Sequence, residues 1–274
     1  MLIDTHCHLD AAEFDVDRDK LMSTALSAGV GALVVPAVAP DNFIKVRACA
    51  ERYSHTYPAY GTHPLYVARV DEIACIAALR AWLKNEMSGS CAPVAVGEIG
   101  LDFYVPGFDV ALQERIFIQQ LKIARDFDLP VLLHVRRSVD AVLKCLRRIG
   151  VRGGIAHAFN GSRQQADEFL HLGFRLGFGG TLTFPRATRI RALATDLPAA
   201  AIVLETDAPD ISPVWLAGGR NTPAELGRIA GTLADLRGVS GAEVARFTSE
   251  NAIGVLRLQV RIAPQKSDLG GNTT

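Results

Sequence analysis

Short, uninterrupted apolar runs recur along this chain, spaced so that one helix fits between each pair. This rhythm restricts the available folds more than any other feature of the sequence. Leu2-Ile3, Val94-Ala95-Val96, Val131-Leu132-Leu133, Ile155-Ala156 and Ile202-Val203-Leu204 are the clearest examples. A strand without alternation is buried on both faces, the condition of a parallel sheet covered by its crossover helices. Strands are expected at residues 2–7, 31–36, 56–60, 93–97, 130–134, 153–157, 173–177 and 201–205. Helical faces lie between them: Leu112, Ile116, Phe117, Leu121, Ala124 and Phe127; Val139, Val142, Leu143, Leu146 and Ile149; Leu226, Ile229, Ala230, Leu233 and Leu236. Eight strands alternating with about eight helices is the number that closes a sheet on itself, so the expected fold is α/β, a TIM-type (β/α)8 barrel. An open doubly wound sheet is the rival.

Length agrees, because 274 residues suit one barrel of about 250 residues. Residues 1–260 are expected to form one domain, and the polar stretch at 261–274 a flexible tail. Residues 240–258 read as a helix that closes the barrel floor or flank. Gly29 and Gly150 stop helices, Pro130 opens a strand, and Thr222-Pro223-Ala224-Glu225 reads as an N-cap, a first-turn proline and a capping-box glutamate.

Five of the apolar runs end in a residue able to bind a metal ion: His6 and His8, Glu98, His134, His157, and Asp207. Strand ends at one rim of a barrel converge, and that rim is where barrel enzymes do chemistry. His6 and His8 stand two apart on an expected strand, so both leave the same face while Cys7 points the other way. Histidine is scarce, seven in all, which makes its repetition at strand ends informative. A carboxylate such as Glu98 can bridge two cations through its two oxygens, and two-metal sites stabilise both the attacking and leaving oxygens of a displacement. Asp207 would complete one ion's shell and accept a proton from water, with Glu205 orienting a neighbouring group. Imidazoles and carboxylates without thiolate suit two divalent metal ions of the Zn, Mn, Fe, Co or Ni kind, with Mg possible where water fills the shell.

Other residues suit an anionic substrate. His63 follows the third strand, Arg136 and Arg137 follow His134, and Arg220 with Asn221 precedes a helix N-terminus. Guanidinium groups and helix N-termini both suit phosphate oxygens. Phe103, Tyr104 and Phe159 lie on rim loops, where they either stack on a nucleobase or pack.

Charge is balanced at 29 basic against 29 acidic residues, so no global field holds nucleic acid, and contact with a strand must be local and transient. Five scattered cysteines without a C-x-x-C pair fit a reducing compartment. No apolar stretch approaches the roughly 18 residues of a membrane span, and no cleavable leader is evident. The expectation is a cytoplasmic monomer with no membrane association.

Taken in order, Ile3-Asp4-Thr5-His6-Cys7-His8-Leu9, Gly61-Thr62-His63-Pro64, Val96-Gly97-Glu98-Ile99-Gly100-Leu101-Asp102, Pro130 to His134, His157-Ala158-Phe159-Asn160-Gly161, Glu205-Thr206-Asp207-Ala208-Pro209 and Arg220-Asn221-Thr222-Pro223 resemble the TatD family of metal-dependent deoxyribonucleases. That family lies within the amidohydrolase-like group of barrels, and the chain is most similar to its YjjV-type branch of hydrolases. The resemblance implies a divalent metal centre made by His6, His8, Glu98, His134, His157 and Asp207, with His63 touching a substrate phosphate. It also implies phosphodiester hydrolysis, often 3′→5′ from an end of single-stranded DNA, with RNA or a small phosphoester as further candidates. Asn160 departs from the serine often found there.

The alternative enzyme is an amidohydrolase acting on a C–N bond or lactone. Many binuclear members of that group bridge their ions with a lysine ending the fourth strand, where this chain has Glu98. A barrel without catalysis is the remaining reading, and an intact ligand set argues against it.

Overall fold

A computed structural model describes residues 1–259. The tail expected at 261–274, and the boundary at 260, lie outside the described residues. Eight strands form one sheet in chain order: β1 (Leu2–Asp4), β2 (Val30–Pro36), β3 (Thr56–Tyr60), β4 (Ala95–Asp102), β5 (Val131–Arg136), β6 (Gly154–Ala156), β7 (Phe174–Phe178) and β8 (Ile202–Leu204). Each strand pairs in parallel with the next. The seam between β8 and β1 is bridged where the Thr5 amide and hydroxyl both donate to the Leu204 carbonyl at 3.1 Å, and where the Asp207 amide donates to the His6 carbonyl at 2.8 Å. The barrel expectation is borne out, and the open sheet is not what forms.

The helices are α1 (Arg18–Ser27), α2 (Phe43–Arg52), α3 (Glu72–Glu86), α4 (Val110–Asp126), α5 (Val139–Ile149), α6 (Arg163–His171), α7 (Thr188–Asp196), α8 (Leu226–Arg237) and α9 (Gly241–Leu256). α5 shows why the pattern was legible. Val142, Leu143 and Leu146 line its buried stripe, and Gly150 ends it in the left-handed region, its amide returning to the Leu146 carbonyl. Two apolar layers result. One lies between strands and helices. The other fills the barrel, where Ile3, Ala32, Val34, Ala59, Leu132, Ile155 and Val203 meet Ala252 and Leu256 of α9, which closes the floor. No helix of the described residues is long and apolar enough to cross a membrane.

Three local expectations need correction, each with a bearing on the site. β1 stops at Asp4 instead of running to Cys7, because the Asp4 carboxylate takes the His6 amide at 3.2 Å and the Thr206 amide and hydroxyl at 2.9 and 2.6 Å. β4 runs on to Asp102 and β5 to Arg136, so Glu98 lies within its strand and not beyond it, and His134 lies inside β5 and not at its end. Between Val96 and Ile99, β4 carries one more residue than its partner, a bulge of the kind that re-aims a side chain. Finally, residues 223–225 make a short 3-10 turn ahead of α8, and Thr222 makes no side-chain cap. The Glu225 carboxylate accepts instead from Trp215 Nε1 at 2.7 Å.

Candidate metal centre

Glu98 is the hub. Its carboxylate is buried, and its two oxygens face different imidazoles. Oε2 lies 3.2 Å from His6 Nε2 and 3.6 Å from His8 Nε2; Oε1 lies 3.1 Å from His134 Nδ1, 3.2 Å from His157 Nε2 and 3.5 Å from His63 Nε2. Asp207 Oδ1 stands 3.6 Å from both His6 Nε2 and His8 Nε2. The residues expected as ligands therefore converge from β1, β4, β5, β6 and β8, despite separations of up to two hundred positions. Cys7, between the first two histidines, is buried in the outer apolar layer, as its opposite orientation requires.

This donor set fits divalent cations. His6, His8 and Asp207 offer one group of mutually close donor atoms; His6, Glu98 and His157 offer another, and His63, Glu98 and His134 a third. Among the described residues no lysine or arginine pairs with Glu98, so the charge at the centre of this buried cluster has only imidazoles to answer it. Burial would raise the Glu98 carboxyl, but His63, His6 and His157 around it hold it well below the ordinary range. Burial lowers His6. His157 moves the other way, well up, because Asp207 and Glu98 outweigh its burial.

A supporting layer sets the rings. Asp102 Oδ2 lies 2.9 Å from His134 Nε2, leaving Nδ1 for the centre, and its Oδ1 accepts the Tyr104 and Val105 amides at 2.8 and 3.1 Å. Burial raises the Asp102 carboxyl, but the His134 bond and these amides prevail and bring it to about 2. Glu205 is buried and accepts the Ala158 amide at 2.5 Å, with Oε1 3.5 Å from His157 Nδ1. A Cβ on Gly177 would overlap the Glu205 carboxylate, so only glycine leaves that carboxylate its place. Asp4, buried beside Thr206, is pushed up to about 7 by burial. Asp4 and Asp102 belong to the first and third of the sequence motifs, and local sequence alone assigns them no role. Asp102 stands four positions after Glu98 on one strand, a spacing that puts both on one face and could have marked it.

His63 is closer to the centre than a substrate contact alone would require. Its Nδ1 accepts the Leu65 amide at 3.1 Å, so the neutral ring carries its proton on Nε2, the nitrogen facing Glu98. Burial drops His63 to about 3, which keeps the ring neutral.

The structure does not bring Arg220 or Asn221 to the centre. Arg220 is drawn to α1's approach, with Nη1 and Nη2 at 3.1 and 2.6 Å from the two Asp17 oxygens. Asn221 has no exposed surface, and its amide donates to the Thr206 and Asp210 carbonyls at 2.8 and 2.9 Å, bracing the segment that carries Asp207. Phe159 is buried against Phe169, so it packs and does not stack on a ligand. Asn160 accepts from Arg189 at 2.6 and 3.1 Å.

Above the cluster opens a basin of about 1390 Å³, lined by His8, His63, Glu98, His134, His157 and Asp207 at its base, with Asp10, Lys45, Tyr104, Arg136 and Arg137 on its walls. That is larger than the roughly 300–1,000 Å³ of small-molecule sites, and it suits an extended substrate.

Comparison with known proteins agrees with this geometry. The profile of TatD related DNases matches residues 3–257. The chain is 39% identical over 250 residues to YjjV of Escherichia coli K12, described as an uncharacterized metal-dependent hydrolase, covering 91% of this chain and 95% of that one. The crystal structure of E. coli YjjV, a TatD homologue, superposes with a TM-score of 0.89 at 38% identity over 94% of this chain and 98% of that chain. A Danio rerio relative bearing the name of a candidate deoxyribonuclease, tatdn3, is 31% identical over 92% of this chain and 95% of its own length. The chain belongs to the TatD family of metal-dependent hydrolases.

Proposed function

We propose that the protein hydrolyses phosphodiester bonds as a deoxyribonuclease, working 3′→5′ from an end of single-stranded DNA, with RNA or a small phosphoester as further substrates. The observation that carries this reading is the division of the Glu98 carboxylate. One oxygen faces His6 and His8 beside Asp207, and the other faces His134 and His157. That arrangement would hold two divalent ions, the first by His6, His8, Asp207 and Glu98, the second by Glu98, His134 and His157. When bound, such ions supply a nucleophilic water at neutral pH and offset charge on a phosphate in displacement.

The chain's own residues do the rest. Asp207 stands at the basin floor, 13% exposed, where its carboxylate can take the proton of the attacking water. His63 directs its Nε2 proton into the same space, a donor suited to an equatorial phosphate oxygen. Glu205 and Asp102 keep His157 and His134 in register, and Asn221 keeps the Asp207 segment in place. The family name of the matched profile, with the polar basin, favours a nucleic-acid end over an amide or lactone.

A degradation assay on end-labelled single and double strands tests this, with added Mg, Mn or Zn and a panel of amides and lactones in parallel. Shortening of the single strand from its 3′ end is expected. Turnover confined to an amide or lactone would contradict it.

A further inference from the structure

The mouth of the barrel carries two adjacent arginines on one side. Asp10 and Glu13 follow β1 on one wall, and Arg136 and Arg137 end β5 on another. With strands in sequential order around an eight-stranded barrel, β1 and β5 are diametrically opposed, so these acids and these arginines face one another across a basin whose lining also holds Lys45, Asp140, Arg189 and Asp210. The overall charge is zero, so an incoming anion depends on local cations such as this arginine pair.

The basic wall is built as a unit. The guanidinium carbons of Arg136 and Arg137 stand 3.8 and 4.6 Å from the centre of the Tyr104 ring, and that ring is 47% exposed. Cation–π contact of this kind orders a guanidinium without neutralising it. Neither charge is cancelled by a close carboxylate: among the described residues Arg137 makes no ion pair, and the nearest acid to Arg136 is Asp102, 4.0 Å from Nη1. Asp102 is already bonded to His134 and to the Tyr104 and Val105 amides. One buried carboxylate thus fixes both a centre-facing imidazole and the loop carrying the aromatic platform, so the paired guanidinia sit at a set offset from the reaction site.

We infer that Arg136 and Arg137, ordered on Tyr104, form a second phosphate subsite, which takes the neighbouring phosphate of the strand whose terminal bond lies over Glu98. The inference rests on the phosphodiester reading above, and deepens it by naming what separates a polymer end from an isolated phosphate ester. A single-phosphate substrate fills only the centre. An oligonucleotide also reaches the β5 wall. Arginine suits this task because its planar fork meets phosphate oxygens bidentately. Tyr104 acts as a positioning residue.

Two readouts on the metal-loaded full chain test it. The first is fluorescence anisotropy of a labelled, hydrolysis-resistant phosphorothioate single-stranded octanucleotide, which reports binding without turnover. Arg137→Ala should weaken binding about tenfold and make the plot of log Kd against log salt shallower by roughly 0.7, the value of one single-strand phosphate contact. Arg137→Lys should restore the slope, and Tyr104→Phe should bind as wild type while Tyr104→Ala does not. The second is the ratio of kcat/KM for the unmodified octanucleotide to kcat/KM for bis(p-nitrophenyl) phosphate, which should fall about tenfold in Arg137→Ala through KM. Wild-type affinity and salt slope in Arg137→Ala would overturn the subsite, as would a wild-type protein that does not bind the octanucleotide. Arginine-dependent binding with no hydrolysis of either substrate would keep the subsite and overturn the nuclease reading instead.

Discussion

Asp102 and His134 are joined at 2.9 Å through Oδ2 and Nε2, and the ring's other nitrogen is turned 3.1 Å from Glu98 Oε1. A carboxylate behind a ligating imidazole fixes its tautomer and raises its basicity, and losing such a partner typically costs about 10–100-fold in metal affinity. Asp102→Asn should therefore fold normally by circular dichroism yet bind its weaker-held ion about 10–100-fold less tightly in competition with a chromogenic chelator. Unaltered affinity would show that His134 needs no such support.

Asp4 makes stability fall with rising pH. Its carboxyl is raised by burial from 3.8 to about 7, so the folded chain holds a proton that the unfolded chain releases. The linked stability is fully present below about pH 4, and it is lost as pH climbs through about 7. The slope is at most about 1.4 kcal/mol per pH unit. In metal-free protein, Asp4→Asn should flatten the dependence of the urea midpoint on pH across this window. Parallel curves for the two proteins would exclude Asp4 as the titrating group.

The barrel and its ligands were legible because each lives in local pattern. A doubly buried strand leaves an unbroken apolar run, and a histidine or acid next to it is conspicuous. What could not be read is what depends on strand length and on side-chain direction. The bulge between Val96 and Ile99, and the run of β4 on to Asp102, leave only Gly97 and Gly100 as a mark in the sequence, and glycine in a strand signals close backbone approach as readily as a bulge. Arg220 and Asn221 are neighbours in the chain, yet the arginine turns to Asp17 and the asparagine to the backbone carbonyls around Asp207. Those choices are made by partners about two hundred and about fifteen residues away, beyond any window of local sequence.

Those two residues separate cleanly by mutation. Arg220→Ala should leave kcat/KM within about twofold, since it removes an exposed ion pair of the kind that contributes little. Asn221→Ala strands buried carbonyls and should cost about 2–3 kcal/mol in chemical denaturation, with reduced activity from a loosened Asp207 segment. A large kcat/KM loss in Arg220→Ala would return that guanidinium to the substrate.

Gly177→Ala probes the support behind His157. The added methyl overlaps the buried Glu205 carboxylate, which is itself held by the Ala158 amide. Overpacking of this kind costs about 1–3 kcal/mol, and displaced Glu205 should also lower metal retention through dialysis. Wild-type metal retention in this variant would mean that His157 keeps its direction without Glu205.

Metal stoichiometry by elemental analysis, run with turnover on wild type and Glu98→Ala after equilibration with excess divalent metal, tests the bridging carboxylate most directly. The account predicts two ions per wild-type chain, fewer in the variant, and turnover lower by orders of magnitude although both proteins unfold at similar temperatures. Near-normal turnover in metal-saturated Glu98→Ala, or a wild-type chain that retains no metal, would contradict it.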